Sequence, residues 1–139
     1  MQAIVYHNYG SPDVLQLKEI EKPTAGNDDV FVKVCAASVN PLDCGELHGV
    51  PLIFRLAFGL KKPTAAQPLR PGVDLAGVVE AVGSKVTGFH PGYAVFGVCI
   101  SDPQASSTKV WQHRQDSFAE YVCARESGRM LPAFAVRGT

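Results

Sequence analysis

Few side chains in this sequence have the types and spacing that chemistry needs, and the first task is to see which ones group. Cys35, Cys44, Cys99 and Cys123 form no C-x-x-C pair of the kind that brings two thiolates onto one metal. Cys35 and Cys123 fall in strand-like runs and are expected to be buried small hydrophobes. His7, His48, His90 and His113 have no second histidine or carboxylate three or four residues away on a convincing helix, and read as surface or loop residues. Gly83-Ser84-Lys85-Val86-Thr87-Gly88 has the residue types of a phosphate loop in the wrong order and is expected to be a hairpin turn. No G-x-G-x-x-G occurs anywhere.

The segment Asn40-Pro41-Leu42-Asp43 is more informative. A residue before proline is pushed out of the helical region, while proline suits the first helical position. Asn40 therefore reads as the N-cap of a short helix, its side chain satisfying a free backbone amide. Asp43 falls in the first turn, where the helix dipole favours a carboxylate.

The elements that must hold this segment are mostly strands. Ala3 to Tyr6, Leu15 to Ile20 and Val30 to Ala37 are rich in β-branched and aromatic residues and are separated by turn formers such as Gly10-Ser11-Pro12 and Pro23-Thr24-Ala25-Gly26. In Val30-Phe31-Val32-Lys33-Val34 only Lys33 breaks the apolar run, which predicts a central strand. Val73 to Val82, Tyr93 to Val98 and Ser117 to Ala124 predict three more. Gly77 inside its strand suggests a bulge or a close backbone approach, and Gly83 and Gly92 suit turn positions with φ above zero. Leu52 to Leu60 has apolar residues at helical spacing around Arg55 and predicts a short amphipathic helix or lid segment. Ser101 to Asp116 is polar and without pattern, and is expected to be an exposed loop anchored by Trp111.

The 139 residues can bury one core, and with 46% hydrophobic residues one domain is expected. Thirteen basic and thirteen acidic side chains balance, with no long run of either sign, which gives no electrostatic footprint for nucleic acid or an anionic membrane. The apolar stretches fall short of a membrane span. The opening Met-Gln-Ala-Ile-Val-Tyr-His lacks the basic and apolar regions of a secretory signal, so a cytoplasmic setting is expected.

Five segments then fall in a familiar order: Met1-Gln2-Ala3-Ile4-Val5; Val32-Lys33-Val34 with Ala37-Ser38-Val39-Asn40-Pro41-Leu42-Asp43; Arg70-Pro71-Gly72-Val73-Asp74 through Val82-Gly83; Phe89-His90-Pro91-Gly92; and Ser117-Phe118-Ala119-Glu120-Tyr121. Over about residues 1 to 125 the chain resembles the GroES-like N-terminal domain of the medium-chain dehydrogenase/reductases, specifically their quinone oxidoreductase branch. The resemblance implies a mainly β fold, a partly open GroES-like β-barrel with a few short helices. Residues 126–139 are set apart as an atypical tail, Tyr93 departs from the acidic residue usual after Pro-Gly, and the nucleotide-binding Rossmann domain of relatives is expected to be absent.

Zinc-dependent members of that superfamily place a cysteine, then a histidine with an acidic neighbour, around a catalytic metal. Here those positions read Asn40, Val73 and Asp74, and valine cannot ligate zinc. The four-cysteine lobe of those relatives is missing too, so no zinc is expected. The resemblance implies NADPH as hydride donor and a quinone or an α,β-unsaturated carbonyl as substrate. Asn40 is the candidate catalytic residue, its amide donating to the substrate carbonyl or to the nicotinamide ribose. Donors aimed at a developing oxyanion are worth about 3 kcal/mol each. Asn40 and Asp43 are the candidate cofactor contacts. The chain is thus expected to be the substrate-side domain of a zinc-independent quinone/enone oxidoreductase, truncated and inactive alone, working with a separate nucleotide-binding domain. The alternative is a free-standing barrel that binds a small ligand or self-associates through its strand edges. A co-chaperonin role fits only by analogy of shape.

Overall fold

The computed structural model describes residues 1–62, 69–98, 117–126 and 129–132, the last four and residues 54, 57 and 58 by backbone alone. The loop expected at 101–116, with Trp111 and His113, lies outside the described residues, as does Cys99. Among the described residues nine elements run in order: β1 (Gln2–Val5), β2 (Gln16–Glu19), β3 (Asp29–Ser38), α1 (Pro41–His48), α2 (Leu52–Phe58), β4 (Asp74–Val82), β5 (Ala94–Val98), β6 (Tyr121–Arg125) and β7 (Arg129–Pro132), with a 3-10 turn at Pro12–Val14. The fold is mainly β, as expected. Among the described residues no helix is long and apolar enough to cross a membrane.

The strands form a two-stranded sheet, β1-β2, and a five-stranded antiparallel sheet in the order β6-β3-β4-β5-β7, which is not closed into a barrel. β3 lies between β6 and β4, the central position its apolar run predicted. The strand expected from Ser117 begins only at Tyr121. The residues before it turn onto β1 instead, with Ile4 N–H donating to Phe118 O (2.8 Å) and Glu120 N–H to Gln2 O (3.1 Å). This ties the small sheet to the large one. β7 lies within 126–139 and pairs with β5.

Period-two alternation builds the core. Val30 and Val32 from β3, Leu75 and Val79 from β4, Val95 from β5, and Val122 and Ala124 from β6 pack with Phe89. Gly77 shares the inward face of β4. A Cβ there would run into the backbone carbonyl of Lys33 and lie 2.7 Å from Val32 Cγ1. The β3–β4 register also shifts between Val34 and Ala36, opposite Gly77, so both the bulge and the close approach expected of this glycine are present. Gly92 has the expected positive φ of 91°. Gly83 does not; its need for glycine is contact with the backbone of Gly26 and Asn27.

One expectation about side chains is overturned. Cys123 is buried, and burial pushes its thiol up to about 11, but Cys35 is exposed, as is Cys44. Cys35 sits at the register shift opposite Gly77, in the outer half of β3 whose residues from Cys35 to Ser38 are all exposed. The short helix expected over Leu52 to Leu60 is present as α2, and its apolar residues Leu52, Ile53 and Leu56 are all more than half exposed. Arg55 turns inward instead. Its guanidinium donates to the carbonyls of Gly49 (3.2 Å), Leu60 (3.3 Å) and His48 (3.4 Å) and lies 5.0 Å from the Tyr9 ring centre. These carbonyls end α1 and follow α2, so one cation satisfies acceptors the helix termini leave open.

The turn after β4 is closed by Glu126, whose carboxylate accepts the backbone amides of Thr87 and Gly88. Those two hydrogen bonds, Gly88 first, hold its carboxyl below the usual glutamate value. A lowered folded-state pKa means that Glu126 stabilises the folded chain above the ordinary glutamate range, a contribution lost as pH falls through the lowered value. Glu126→Gln is therefore expected to abolish that part of the acid dependence and to speed amide exchange at Thr87 and Gly88 near neutrality. Exchange rates read residue by residue across an acid series check this; identical profiles in the two proteins would refute it.

Candidate functional site

Strand register creates the site. Ser38, the last residue of β3, pairs with Asp74, the first of β4. Asn40 follows two residues later with extended backbone (φ −136°, ψ 170°), so it points to the same side as Ser38. Both reach one carboxylate oxygen: Ser38 Oγ donates to Asp74 Oδ2 at 2.7 Å and Asn40 Nδ2 donates to the same atom at 2.8 Å. Val73, the residue just before β4, is buried at 3% exposure.

Asn40 caps α1 as its sequence predicted. Its Oδ1 accepts the amides of Leu42 (2.8 Å) and Asp43 (3.3 Å), and the Asp43 carboxylate returns the bond by accepting Asn40 N–H at 2.8 Å. This is a reciprocal capping box with aspartate in the third helical position. The two ends of the Asn40 amide are thereby fixed. Exchanging them would set an NH2 group against two backbone donors and an oxygen against a carboxylate.

Asp43 is committed further. Its second oxygen, Oδ1, accepts Gly72 N–H at 3.1 Å, and the residue is 4% exposed. Both oxygens thus hold backbone, and Asp43 latches α1 to the segment before β4. Gly72 continues the chain of contacts: its carbonyl accepts Ser117 N–H (3.0 Å), and Ser117 Oγ donates to Asp74 O at 2.7 Å. From Asn40 through Asp74, Ser117, Gly72 and Asp43 the hydrogen bonds close a ring. Gly72 has φ of 108°, and a Cβ there would lie 2.6 Å from Ser117 Oγ and 2.8 Å from the Phe118 backbone nitrogen. Only glycine fits both the backbone and the space.

Of the residues singled out in the sequence, Asn40, Asp43 and Asp74 come together here. His7, His48 and His90 are exposed, and among the described residues no group of three or more His, Cys, Asp or Glu is placed to hold a metal. The ring members Gly72 and Ser117, and Ser38 beside the ring, were not identified as site residues. The pair Pro71-Gly72, a turn former directly before a strand, was the available signal for Gly72.

The positions that hold zinc in metal-dependent members of the superfamily offer a poor donor set in this chain. Asn40 Oδ1 is spent on the cap and its nitrogen on Asp74; Val73 has no ligand atom and faces the core; Asp74 alone retains an acceptor. Zinc sites use three or four nitrogen, sulfur or carboxylate ligands. The residues do not fit the metal.

Comparison with known proteins agrees with this fold. The family model described as the alcohol dehydrogenase GroES-like domain matches residues 26–133. The chain is 39% identical over 128 residues to a 2-methylene-furan-3-one reductase of Solanum lycopersicum, covering 91% of this chain and 29% of that protein. It is 35% identical over 127 residues to the chloroplastic NADPH-dependent alkenal/one oxidoreductase of Arabidopsis thaliana, again covering 91% and 29%. The solved quinone oxidoreductase from Coxiella burnetii superposes with a TM-score of 0.75 at 26% identity, covering 97% of this chain and 37% of that one. The chain thus spans under a third of the length of these curated relatives. An antiparallel sheet with β3 as an interior strand, a capped helix following that strand, and a match across most of the sequence place this chain in the alcohol dehydrogenase GroES-like domain family of the medium-chain dehydrogenase/reductases.

Proposed function

We propose that this chain is the substrate-side domain of a zinc-independent, NADPH-dependent oxidoreductase acting on quinones or α,β-unsaturated carbonyls. The observation that carries this is the state of the former metal positions, where Asn40 is hydrogen-bonded at both ends of its amide and Val73 is buried. The names of the similar proteins, which include an NADPH-dependent alkenal/one oxidoreductase and a quinone oxidoreductase, support the substrate class.

NADPH, when bound, supplies the hydride. The chain's own residues orient and exclude. Asn40 offers an amide hydrogen at the ligand side, held in one orientation by α1 and by Asp74. Asp43 contributes by latching the helix start to Gly72 rather than through a free oxygen of its own. A Gly-rich strand-turn-helix that would seat a pyrophosphate is not encoded in these 139 residues, so hydride transfer in this proposal needs a nucleotide-binding domain beside this one.

The test is to fuse the chain to the nucleotide-binding domain of a similar quinone oxidoreductase. The fusion is expected to oxidise NADPH with a quinone, and the 139-residue chain on its own is expected not to. Turnover by the isolated chain would overturn the division of labour. A well-folded fusion that binds NADPH yet reduces neither quinones nor enones would favour a ligand-binding or self-assembling module.

A further inference from the structure

The electrostatics around Asn40 say more about what it binds than the identity of the residue does. An asparagine amide has two hydrogens, and Asp74 takes only one of them. The second meets no hydrogen-bond partner among the described residues. Asp74 uses Oδ2 for both Ser38 and Asn40, and its Oδ1 has no hydrogen-bond partner among the described residues. Asp74 is half-buried and Oδ1 is not sealed from water. Nor does any described cation form an ion pair with it. A donor hydrogen on Asn40 and an acceptor oxygen on Asp74 therefore lie side by side, and the pair carries a net negative charge.

An oxyanion stabiliser needs the opposite field, with donors aimed at growing negative charge and no carboxylate beside them. An anion next to Asn40 Nδ2 would sit within a few ångströms of the Asp74 charge. An uncharged hydroxyl has no such conflict: its oxygen accepts from Asn40 Nδ2 while its hydrogen is donated to Asp74 Oδ1. We propose that Asp74 and Asn40 together make this edge of the site selective for an uncharged hydroxyl group and closed to carboxylates and phosphates. Asp74 is then a specificity-determining residue that acts both directly and by holding Asn40 in orientation. The inference rests on Asn40 facing ligand, as in the proposed function, and it assigns the amide to a hydroxyl rather than to a developing oxyanion. Two sources offer that chemistry, the ribose diol of a dinucleotide and the hydroxyls of a hydroquinone.

The 139-residue chain, labelled with nitrogen-15, is titrated with methyl β-D-ribofuranoside, hydroquinone and benzoate while the Asn40 side-chain amide signals are followed. At least one hydroxyl probe is expected to shift those signals saturably, with benzoate weaker by about tenfold or more. A response to the riboside alone points to the dinucleotide as the source, to hydroquinone alone the substrate, and either supports the proposal. Asp74→Asn, nearly isosteric, is expected to bring benzoate level with the hydroxyl probes. Ser38→Ala, which keeps the charge, should preserve the discrimination. Benzoate shifting the wild-type signals as strongly as the hydroxyl probes, no probe shifting them, or discrimination surviving in Asp74→Asn would each overturn the proposal. These readouts need no turnover, so an inactive fusion would count against the proposed function without deciding this one.

Discussion

Asn40→Ala is expected to lose both stability and catalysis, and Asn40→Ser to lose as much catalysis with a smaller loss of stability. Alanine removes an N-cap, a loss of about 1 kcal/mol. For a domain of this size that is a fall in melting temperature of roughly 4 °C. It also takes from Asp74 one of its two donors and leaves Asp43 holding the backbone without a reciprocal bond. Serine is a good cap and is too short to replace the amide nitrogen, so it gives up the Asp74 bond but keeps the cap, and its melting temperature should fall less than that of Asn40→Ala. In the fusion both variants lack the ligand-facing hydrogen. A hydrogen bond to an uncharged hydroxyl is worth about 1 kcal/mol or slightly more, so kcat/KM should fall about tenfold in each. A loss nearer a hundredfold, confined to kcat, would be the mark of an oxyanion contact instead. Melting curves and steady-state kinetics on the two variants separate cap from donor, and full activity in Asn40→Ser would remove Asn40 from ligand binding.

Gly77→Ala should be strongly destabilising for the addition of a single methyl group. The added carbon meets the Lys33 carbonyl and Val32 in the middle of the five-stranded sheet, with β3 on one side and β5 on the other. Backbone in a central strand cannot move aside as the end of a flexible side chain can. Overpacking of this kind costs about 3 kcal/mol, a large part of the stability of a small domain. Gly92 is a useful contrast: a methyl there meets nothing within 4 Å and only its positive φ of 91° resists, for a cost of about 1 kcal/mol. Denaturant unfolding of both variants tests the difference, and equal losses would show that the β3–β4 contact is looser than described.

The parts of this molecule that were legible in the sequence are those set by neighbours along the chain. Val30 to Val34 read as a central strand because nearly every residue is apolar, and Asn40-Pro41 read as a helix start because proline constrains both positions. Gly77 was conspicuous as a gap in an otherwise bulky strand. The parts that were not legible depend on what the fold brings across. Nothing near Asn40 in sequence says that Asp74 will meet its nitrogen, since that follows from β3–β4 register and the bulge near Cys35. The same register leaves Cys35 exposed where its strand-like surroundings suggested burial. The spacing of Leu52, Ile53 and Leu56 marks one face of α2 without saying whether that face is covered, and Arg55 settled the matter by finding three carbonyls on the inner side. Asp43 had two readings in the sequence, helix-dipole partner or cofactor contact. The structure occupies both its oxygens with backbone amides, which suits the first and leaves the Asn40–Asp74 pair as the ligand contact in the proposed function.

The claim on which the rest depends is that hydrogen bonding has replaced metal coordination at this site. It is tested most directly by measuring the zinc content of the purified fusion alongside its quinone turnover, before and after exhaustive chelation. The account predicts turnover that is unchanged by chelation, with zinc far below one atom per chain. Activity that disappears with the metal and returns when zinc is restored would contradict it.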